Sequence, residues 1–478
     1  MKNFCFEWFC RSIGLTNSIQ QAVKAYQEAR GAAASDGAPD DHYNHGYWAA
    51  RLGLWQEAIH AYHRALAFGV TKPEEVWLNI GSIYAERLQQ LDKALEALNE
   101  SLKLNPDYTA AMFNHGHLAE QYGDRDAAHD WFAQVLAREP DNLTALARLA
   151  DATVFECSDD PLLAKLRALA PTSNDPDVLL SLAAAEERLQ YFNTAWQAMN
   201  AANAIDRQQA PPYPCEKMAE LNGIAKQIAI PAADPQQNEV GGPVFICGMF
   251  RTGSTLLEQL LAAHGAFYPL GESDFWPRRI AAAGGGMVFP AREASADEAT
   301  NWRADHQQML SALVPADKIA TDKRPDDIYQ IHLLGQLLPT ARFVITRRDW
   351  RDTLVSVFGT RLHPQHGYAN DVRAIRAQIR LVDDLADTWA ARYPDRVQVV
   401  RYEDLVENTQ DTLGSLLGWL GQPWRDAALD FHALRNSVRT ASVWQVREPL
   451  HGKRQARWRR FEQPLREVFG NSLDEPRA

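Results

Sequence analysis

A chain of 478 residues is longer than one ordinary hydrophobic core serves, so two or three domains are expected. An apolar fraction of 46% with 23% charged residues is that of a globular protein and excludes a disordered or fibrous one. The net charge of -12 disfavours binding to nucleic acid or an anionic membrane, and leaves room only for a local basic cleft.

Phe4, Phe6, Trp8 and Phe9 crowd the stretch from Met1 to Asn17, but Glu7 and Arg11 interrupt them and no small-residue cleavage site follows. That stretch reads as a packing helix rather than an export signal. No run approaches the roughly 20 apolar residues of a membrane span. The five cysteines, Cys5, Cys10, Cys157, Cys215 and Cys247, form no C-x-x-C pair, which fits a reducing compartment without a zinc site or disulfide framework. The expectation is a cytoplasmic protein with no membrane contact.

From His42 the chain repeats itself. Gly46, Ala58, Tyr62 and Ala65 recur as Gly81, Ala94, Leu98 and Ser101 before Pro106, then as Gly116, Ala128, Phe132 and Val135 before Pro140. The small residues let two helices approach, the aromatic or apolar residue fills the gap to the next unit, and proline ends the second helix. The period of about 34 residues is that of tetratricopeptide repeats, which these segments resemble. Ala150 to Pro171 is degenerate, and Leu180 to Asp206 recovers the pattern through Ala183, Ala195, Met199 and Ala202. The expected all-α solenoid therefore covers residues 1–206. Its concave face suits an extended peptide, with dimerisation or a purely structural role as the alternative. Trp48, Trp55, Trp77 and Trp131 read as core rather than peptide contacts. Pro211, Pro212, Pro214, Pro231, Pro235 and Gly241-Gly242-Pro243 mark residues 207–242 as a linker.

The next segment carries the chemistry. Val244 to Gly248 is short and apolar, a glycine-containing turn follows, and Leu256, Leu257, Leu260 and Leu261 recur at helical spacing, so strand, loop and helix are expected. Loop amides and a helix N-terminus then converge on one anion. Gly248-x-x-x-x-Gly253-Ser254-Thr255 has the spacing of a nucleotide P-loop, but Ser254 stands where its lysine belongs. Triphosphate chemistry would need a lysine from elsewhere, and Lys323 is the candidate.

Glu272, in Gly271-Glu272-Ser273, is a general base or else a cap or surface acid. Lys323 lies in Thr321-Asp322-Lys323-Arg324-Pro325-Asp326 and is either functional or a solvated charge. Ala341 to Thr346 reads as a strand and Trp350 onward as a helix, which brings Arg348 and Ser356 to the carboxyl edge of a parallel sheet. A guanidinium fork with a hydroxyl suits a second phosphate, unless Arg348 caps its own helix or pairs with Asp352. His264, His332 and His451 are weaker base candidates.

Taken with these residues, Arg251-Thr252-Gly253-Ser254-Thr255 resembles the 5′-phosphosulfate loop of sulfotransferases that use 3′-phosphoadenosine-5′-phosphosulfate (PAPS). Arg348 and Ser356 resemble their 3′-phosphate site, and Val400 to Leu405 is similar to the Tyr-Glu-Asp segment whose tyrosine, here Tyr402, packs on adenine. Ser442 to Pro449 is similar to the Ser-x-x-Gln-Val-x-x-Pro segment of tyrosylprotein sulfotransferases, and Arg457 precedes Trp458 where that subfamily has a cofactor-binding lysine. Together with the repeats, the chain resembles bacterial repeat-containing sulfotransferases. The resemblance implies an α/β P-loop-like three-layer domain with a central parallel sheet over residues 243–478. It implies PAPS-dependent, metal-free, in-line transfer to an acceptor hydroxyl, such as a tyrosine of a peptide or protein bound by the solenoid. Glu272 would accept the acceptor proton and Arg251 would hold the sulfuryl oxygens. Lys323 and Ser442 would steady the leaving oxygen. Thr252, Gly253, Ser254, Thr255, Arg348, Ser356, Tyr402, Ser442, Arg251 and Arg457 would hold the cofactor. Two positions depart from the family: Phe250 replaces a proline, and Thr360, beside Arg361, stands where a further phosphate-binding arginine is expected. A nucleotide-dependent phosphotransferase and an inactive sulfotransferase-like scaffold are the competing readings.

Overall fold

The computed structural model describes residues 17–34, 37–209, 242–282, 295–440, 442–450 and 455–477, with a few single positions between 213 and 230. The aromatic N-terminal stretch, most of the proline-rich linker, Cys5, Cys10, Cys215 and His451 lie outside these residues. The chain divides into two compact units. Met1–Thr153 with Ala282–Gly284 forms the first, and Val154–Ala281 with Gly285–Ala478 forms the second.

The first unit is a succession of helices: α1 (Asn17–Ala34), α2 (Pro39–Arg51), α3 (Trp55–Ala67), α4 (Pro73–Glu86), α5 (Leu91–Leu104), α6 (Thr109–Tyr122), α7 (Arg125–Arg138) and α8 (Leu143–Ala152). Proline at the first turn starts α2 and α4, where its missing N–H would have no partner in any case. Asp124 and Asn142 cap α7 and α8 by accepting backbone amides at 3.0 and 2.9 Å. The repeat pattern acts through close approach. A methyl group on Gly46 would lie 2.7 Å from the Tyr62 ring, and one on Gly116 would lie 2.7 Å from Phe132. The second, third and fourth marks, from Ala58 through Val135, are buried, and each large apolar member adds about 1.5–3 kcal/mol on burial. Trp48, Trp55, Trp77 and Trp131 are partly buried against these cores, as core tryptophans should be.

The second unit opens with α9 (Pro161–Leu169), α10 (Pro176–Arg188) and α11 (Phe192–Gln209). These helices continue the repeat pattern in sequence, and the sequence places them with the solenoid, ending at residue 206. The structure groups them with the sheet-bearing half. Trp196 packs on Phe358 and Phe461 with ring centroids 5.1 and 5.6 Å apart, and Asn203 Nδ2 donates to the Phe358 carbonyl at 2.8 Å. The repeat code specifies how a helix pair packs internally, and these long-range contacts decide what the pair packs against.

A five-stranded parallel sheet follows, with β1 (Val244–Gly248), β2 (Phe267–Pro269), β3 (Ile319–Lys323), β4 (Arg342–Arg347) and β5 (Val397–Arg401) in the order β2-β3-β1-β4-β5. Val244 and Ile246 of β1 join Leu257, Leu260 and Leu261 of α12 (Ser254–His264) in one core, and Phe245 turns the other way to stack on Phe343 at 5.4 Å. Alternation thus buries β1 on both faces, as a parallel sheet covered by helices requires. The remaining helices of this unit are α13 (Phe275–Ala282), α14 (Ala296–Leu313), α15 (Ile331–Leu337), α16 (Trp350–Phe358), α17 (Val372–Arg392), α18 (Tyr402–Glu407), α19 (Thr409–Trp419) and α20 (Glu462–Phe469). The register pairs Ile246 with both Lys323 and Val344, and Arg347 with Arg401. The carboxyl ends of β3, β1, β4 and β5 are therefore neighbours. The chain leaves central β1 toward β2 and β3 on one side and returns to β4 and β5 on the other, so the crevice lies at the switch point. Among the described residues no helix is long and apolar enough to cross a membrane.

Candidate active site

A cavity of about 470 Å³ opens at this carboxyl edge, within the range of small-molecule sites. Six lysine and arginine side chains line it against three carboxylates, which makes it a basic cleft in a chain of net charge -12. Arg251, Gly253, Ser254, Thr255, Glu272, Lys323, Arg348, Ser356, Tyr402 and Ser442 all contribute to its wall.

The loop after β1 forms the cradle. Arg251 holds φ at +69° and Gly253 at +96°, and α12 begins at Ser254 with its free amides facing the cleft end of the loop. A side chain at position 253 would place its Cβ 2.6 Å from Tyr402 Cδ2, so the tyrosine closes tightly over the loop. The Thr252 hydroxyl donates to the Met249 carbonyl at 2.6 Å and sits 2.7 Å from Thr346 Oγ1. Thr252, read from the sequence as a cofactor residue, is not among the residues lining the cavity, and its hydroxyl pins the loop to β4.

Arg251 spans the cleft. Its Nε donates to Ser356 Oγ at 3.1 Å and its Nη1 to Ser442 Oγ at 2.5 Å, which joins two residues 86 positions apart in one polar cluster. Arg348 lies over the Tyr402 ring at 4.5 Å, and its Nη2 is 3.7 Å from Asp352. The cap of α16 is not Arg348 but Asp349, whose carboxylate accepts the Arg351 amide at 2.9 Å. Asp352 accepts the amides of Ala456 and Trp458 at 2.7 and 2.9 Å, which ties the C-terminal segment to the helix bearing Ser356.

Glu272 and Lys323 meet at 2.6 Å between Nζ and Oε1. Lys323 is 1% exposed, which rules out the solvated-charge reading, and Glu272 remains open to the cavity at 37%. Around them in the cavity wall stand Asp326, at the end of the Thr321 to Asp326 segment, and His366. Burial pushes the Asp326 carboxyl up to about 7, against the pull of Arg324 and with a push from Glu272. His366 Nε2 lies 3.6 Å from Asp326, and burial, with His363 and Arg324, lowers the imidazole to about 4, so it is neutral at pH 7. The signal for Asp326 was its place three residues after Lys323. His366 carried none.

One further expectation differs from the observed placement. Arg457 does not line the cavity. Its guanidinium forms a two-pronged pair with Glu187 of α10 at 2.7 and 2.5 Å, and Arg460 joins the same carboxylate at 3.0 Å. Arg361, left unassigned by the sequence, does line the cavity and is held by Asp177 and Asp206 at 2.8 and 3.1 Å. His264 and His332 are buried away from the cavity. His264 Nε2 lies 2.8 Å from the Pro423 carbonyl, and burial lowers His332 to about 4.

Residues 243–426 match the model of the sulfotransferase family, and residues 74–108 match a tetratricopeptide repeat. An uncharacterized protein of Aquifex aeolicus (strain VF5) is 22% identical over 410 residues, covering 80% of this chain and 53% of that one. Protein-tyrosine sulfotransferase 1 of Danio rerio is 24% identical over 212 residues, covering 42% of this chain and 59% of that one. The chain thus spans just over half the length of these relatives. The sulfotransferase domain from the Synechococcus PCC 7002 olefin synthase is 20% identical with a TM-score of 0.35, covering 48% of this chain and 91% of that domain. Residues 243–426 therefore form a sulfotransferase-family domain, in a chain that also carries a tetratricopeptide repeat at residues 74–108.

Proposed function

We propose that the second unit transfers a sulfuryl group from PAPS to an acceptor hydroxyl, a tyrosine of a peptide or protein, and that the repeat unit helps select the acceptor. The observation that carries this reading is the Lys323–Glu272 pair at 2.6 Å, in the same cavity as an anion cradle with Ser254 in place of a lysine. The donor set fits the donor molecule. The cradle at Arg251, Gly253, Ser254 and Thr255 offers amides, hydroxyls and a guanidinium to a phosphosulfate. Arg348 and Ser356 offer a fork and a hydroxyl to a 3′-phosphate, and the Tyr402 ring offers a face to adenine. PAPS supplies the sulfuryl group on a phosphosulfate anhydride.

In this reading Glu272 takes the acceptor proton as the acceptor oxygen bonds to sulfur. The bond from sulfur to the bridging oxygen breaks, and its electron pair stays on 3′-phosphoadenosine-5′-phosphate. Lys323, already beside Glu272, and Ser442, held by Arg251, donate toward that oxygen as its charge grows. The Danio rerio relative bears the name of a tyrosine sulfotransferase, which supports the choice of acceptor. The peptide role assigned to the repeat unit is the common use of such solenoids.

Two measurements test the proposal. 3′-Phosphoadenosine-5′-phosphate should raise the melting temperature far more than ATP with magnesium does, because a ligand stabilises the state it binds. Equal or reversed stabilisation refutes the donor assignment and favours a phosphotransferase. Mass spectrometry of tyrosine peptides incubated with PAPS should show the added sulfuryl mass. Donor binding without any transfer, to peptide or phenol, points to the inactive scaffold.

A further inference from the structure

One buried acid in the second unit has no part in the chemistry described so far. Glu258 lies on α12 one turn beyond Ser254, between Leu257 and Leu260 of the core, and is 3% exposed. A carboxyl in such a place is costly unless it is hydrogen-bonded. Its Oε1 accepts the Gly271 amide at 3.2 Å and the Thr321 hydroxyl at 3.4 Å. Gly271 immediately precedes Glu272. Thr321 is two residues before Lys323, and therefore on the same face of β3. The same two segments are laced together by backbone bonds, from Leu270 N–H to the Thr321 carbonyl at 2.9 Å and from Lys323 N–H to the Gly271 carbonyl at 2.8 Å. Burial pushes the Glu258 carboxyl up to about 7, with the Lys323 charge and the Gly271 amide pulling the other way, which agrees with its place behind the pair.

We propose that Glu258 is a positioning residue, which by anchoring Gly271 and Thr321 to α12 fixes Glu272 and Lys323 relative to Ser254 and Thr255 at the head of the same helix. The proposal rests on the assignment of Glu272 and Lys323 to the reaction. Its physical content is reach. The cradle and the proton-transfer pair belong to three separate elements, and Glu258 is one side chain that bonds to the segments bearing both members of the pair from the helix that bears the cradle. The sequence signal was a lone acid in the apolar run Thr255-Leu256-Leu257-Glu258-Gln259-Leu260-Leu261.

Two substitutions separate reach from charge. Glu258→Gln keeps the length and a carbonyl acceptor but removes the charge. Glu258→Asp keeps the charge but withdraws the carboxyl by about 1.5 Å, one carbon–carbon bond. Positioning predicts that Glu258→Gln retains kcat within about threefold, and that Glu258→Asp loses 10- to 100-fold, the cost of a misplacement of about 1 Å. Affinity for 3′-phosphoadenosine-5′-phosphate should stay at the wild-type value in both. Hydrogen exchange in the peptide covering residues 267–275 reads the anchor without turnover. It should be slow in wild type and Glu258→Gln and faster in Glu258→Asp. If Glu258→Gln is slower in kcat than Glu258→Asp, or nucleotide affinity falls in step with kcat, the positioning role is overturned. Exchange that is equal in all three proteins, or an unprotected segment in wild type, overturns it as well. If wild type transfers no sulfate, the reaction assignment fails, and the exchange comparison still decides whether Glu258 anchors the loop.

Discussion

Replacing Glu187 by alanine removes the carboxylate that holds Arg457 and Arg460. Glu187 is 8% exposed and Arg457 is 17% exposed, so the substitution strands a mostly buried guanidinium. Breaking a buried ion pair from one side costs about 3–5 kcal/mol, and the partial exposure of Arg457 points to the lower end, about 3 kcal/mol. Burial raises the Glu187 pKa, but Arg457 and Arg460 outweigh that effect and hold it below its ordinary 4.5. A depressed carboxyl contributes stability that is complete above 4.5 and is lost as pH falls through the folded value. Urea unfolding at pH 7 should therefore show the full loss for Glu187→Ala, and the difference from wild type should shrink as the pH is lowered below 4.5. Glu187→Leu combined with Arg457→Met, which removes both charges and keeps the volume, should recover most of the stability. A loss under about 1 kcal/mol for Glu187→Ala at pH 7 would refute the reasoning, as would a double variant no better than the single one. Either result would mean that α10 is not welded to the C-terminal segment.

Arg348→Ala should weaken 3′-phosphoadenosine-5′-phosphate binding about 100-fold by calorimetry, in the range of a lost charge-assisted anchor. Arg457→Ala should weaken it far less, because the Arg457 guanidinium is engaged by Glu187. Gly253→Ala sets a Cβ 2.6 Å from Tyr402 at a φ of +96°, so overpacking of about 1–3 kcal/mol should lower nucleotide affinity 10- to 100-fold at the cradle. Glu272→Ala should abolish sulfate transfer and leave nucleotide binding intact. Retention of full transfer would remove Glu272 from the base role. In the first unit burial pushes Glu120 up to about 7 from 4.5 despite Arg148 at 3.5 Å. A raised carboxyl destabilises the fold as pH rises between those values. Glu120→Gln should therefore gain on wild type from pH 5 to 8, by about 3 kcal/mol at most, and an unchanged gap in melting temperature would contradict the burial argument.

Much of this protein was legible in the sequence because the signals were local. The repeat marks at Gly46, Tyr62, Gly116 and Phe132 report contacts inside one helix pair, and such contacts recur at fixed spacing. The cradle from Gly248 to Thr255 is likewise one continuous turn, whose glycine and missing lysine can be read in order. Lys323 and Glu272 could be singled out as charged residues near strand ends, but their pairing could not, since 51 positions separate them. The burial of Lys323 follows from the register of β3 against β1, a property of the sheet.

The sequence by itself determined the two kinds of architecture, the anion cradle with Ser254 in place of lysine, and most of the residue types around it, because each rests on periodicity or on neighbours along the chain. Only the tertiary structure decided that α9 to α11 belong with the sheet, that Arg457 is spent on Glu187 while Arg361 reaches the cavity, and that Glu258 bonds to the segments bearing Glu272 and Lys323. A buried charge takes whichever partner the fold brings within about 3 Å. Contact between residues as many as 270 positions apart is set by the packing of whole elements, which no short motif encodes.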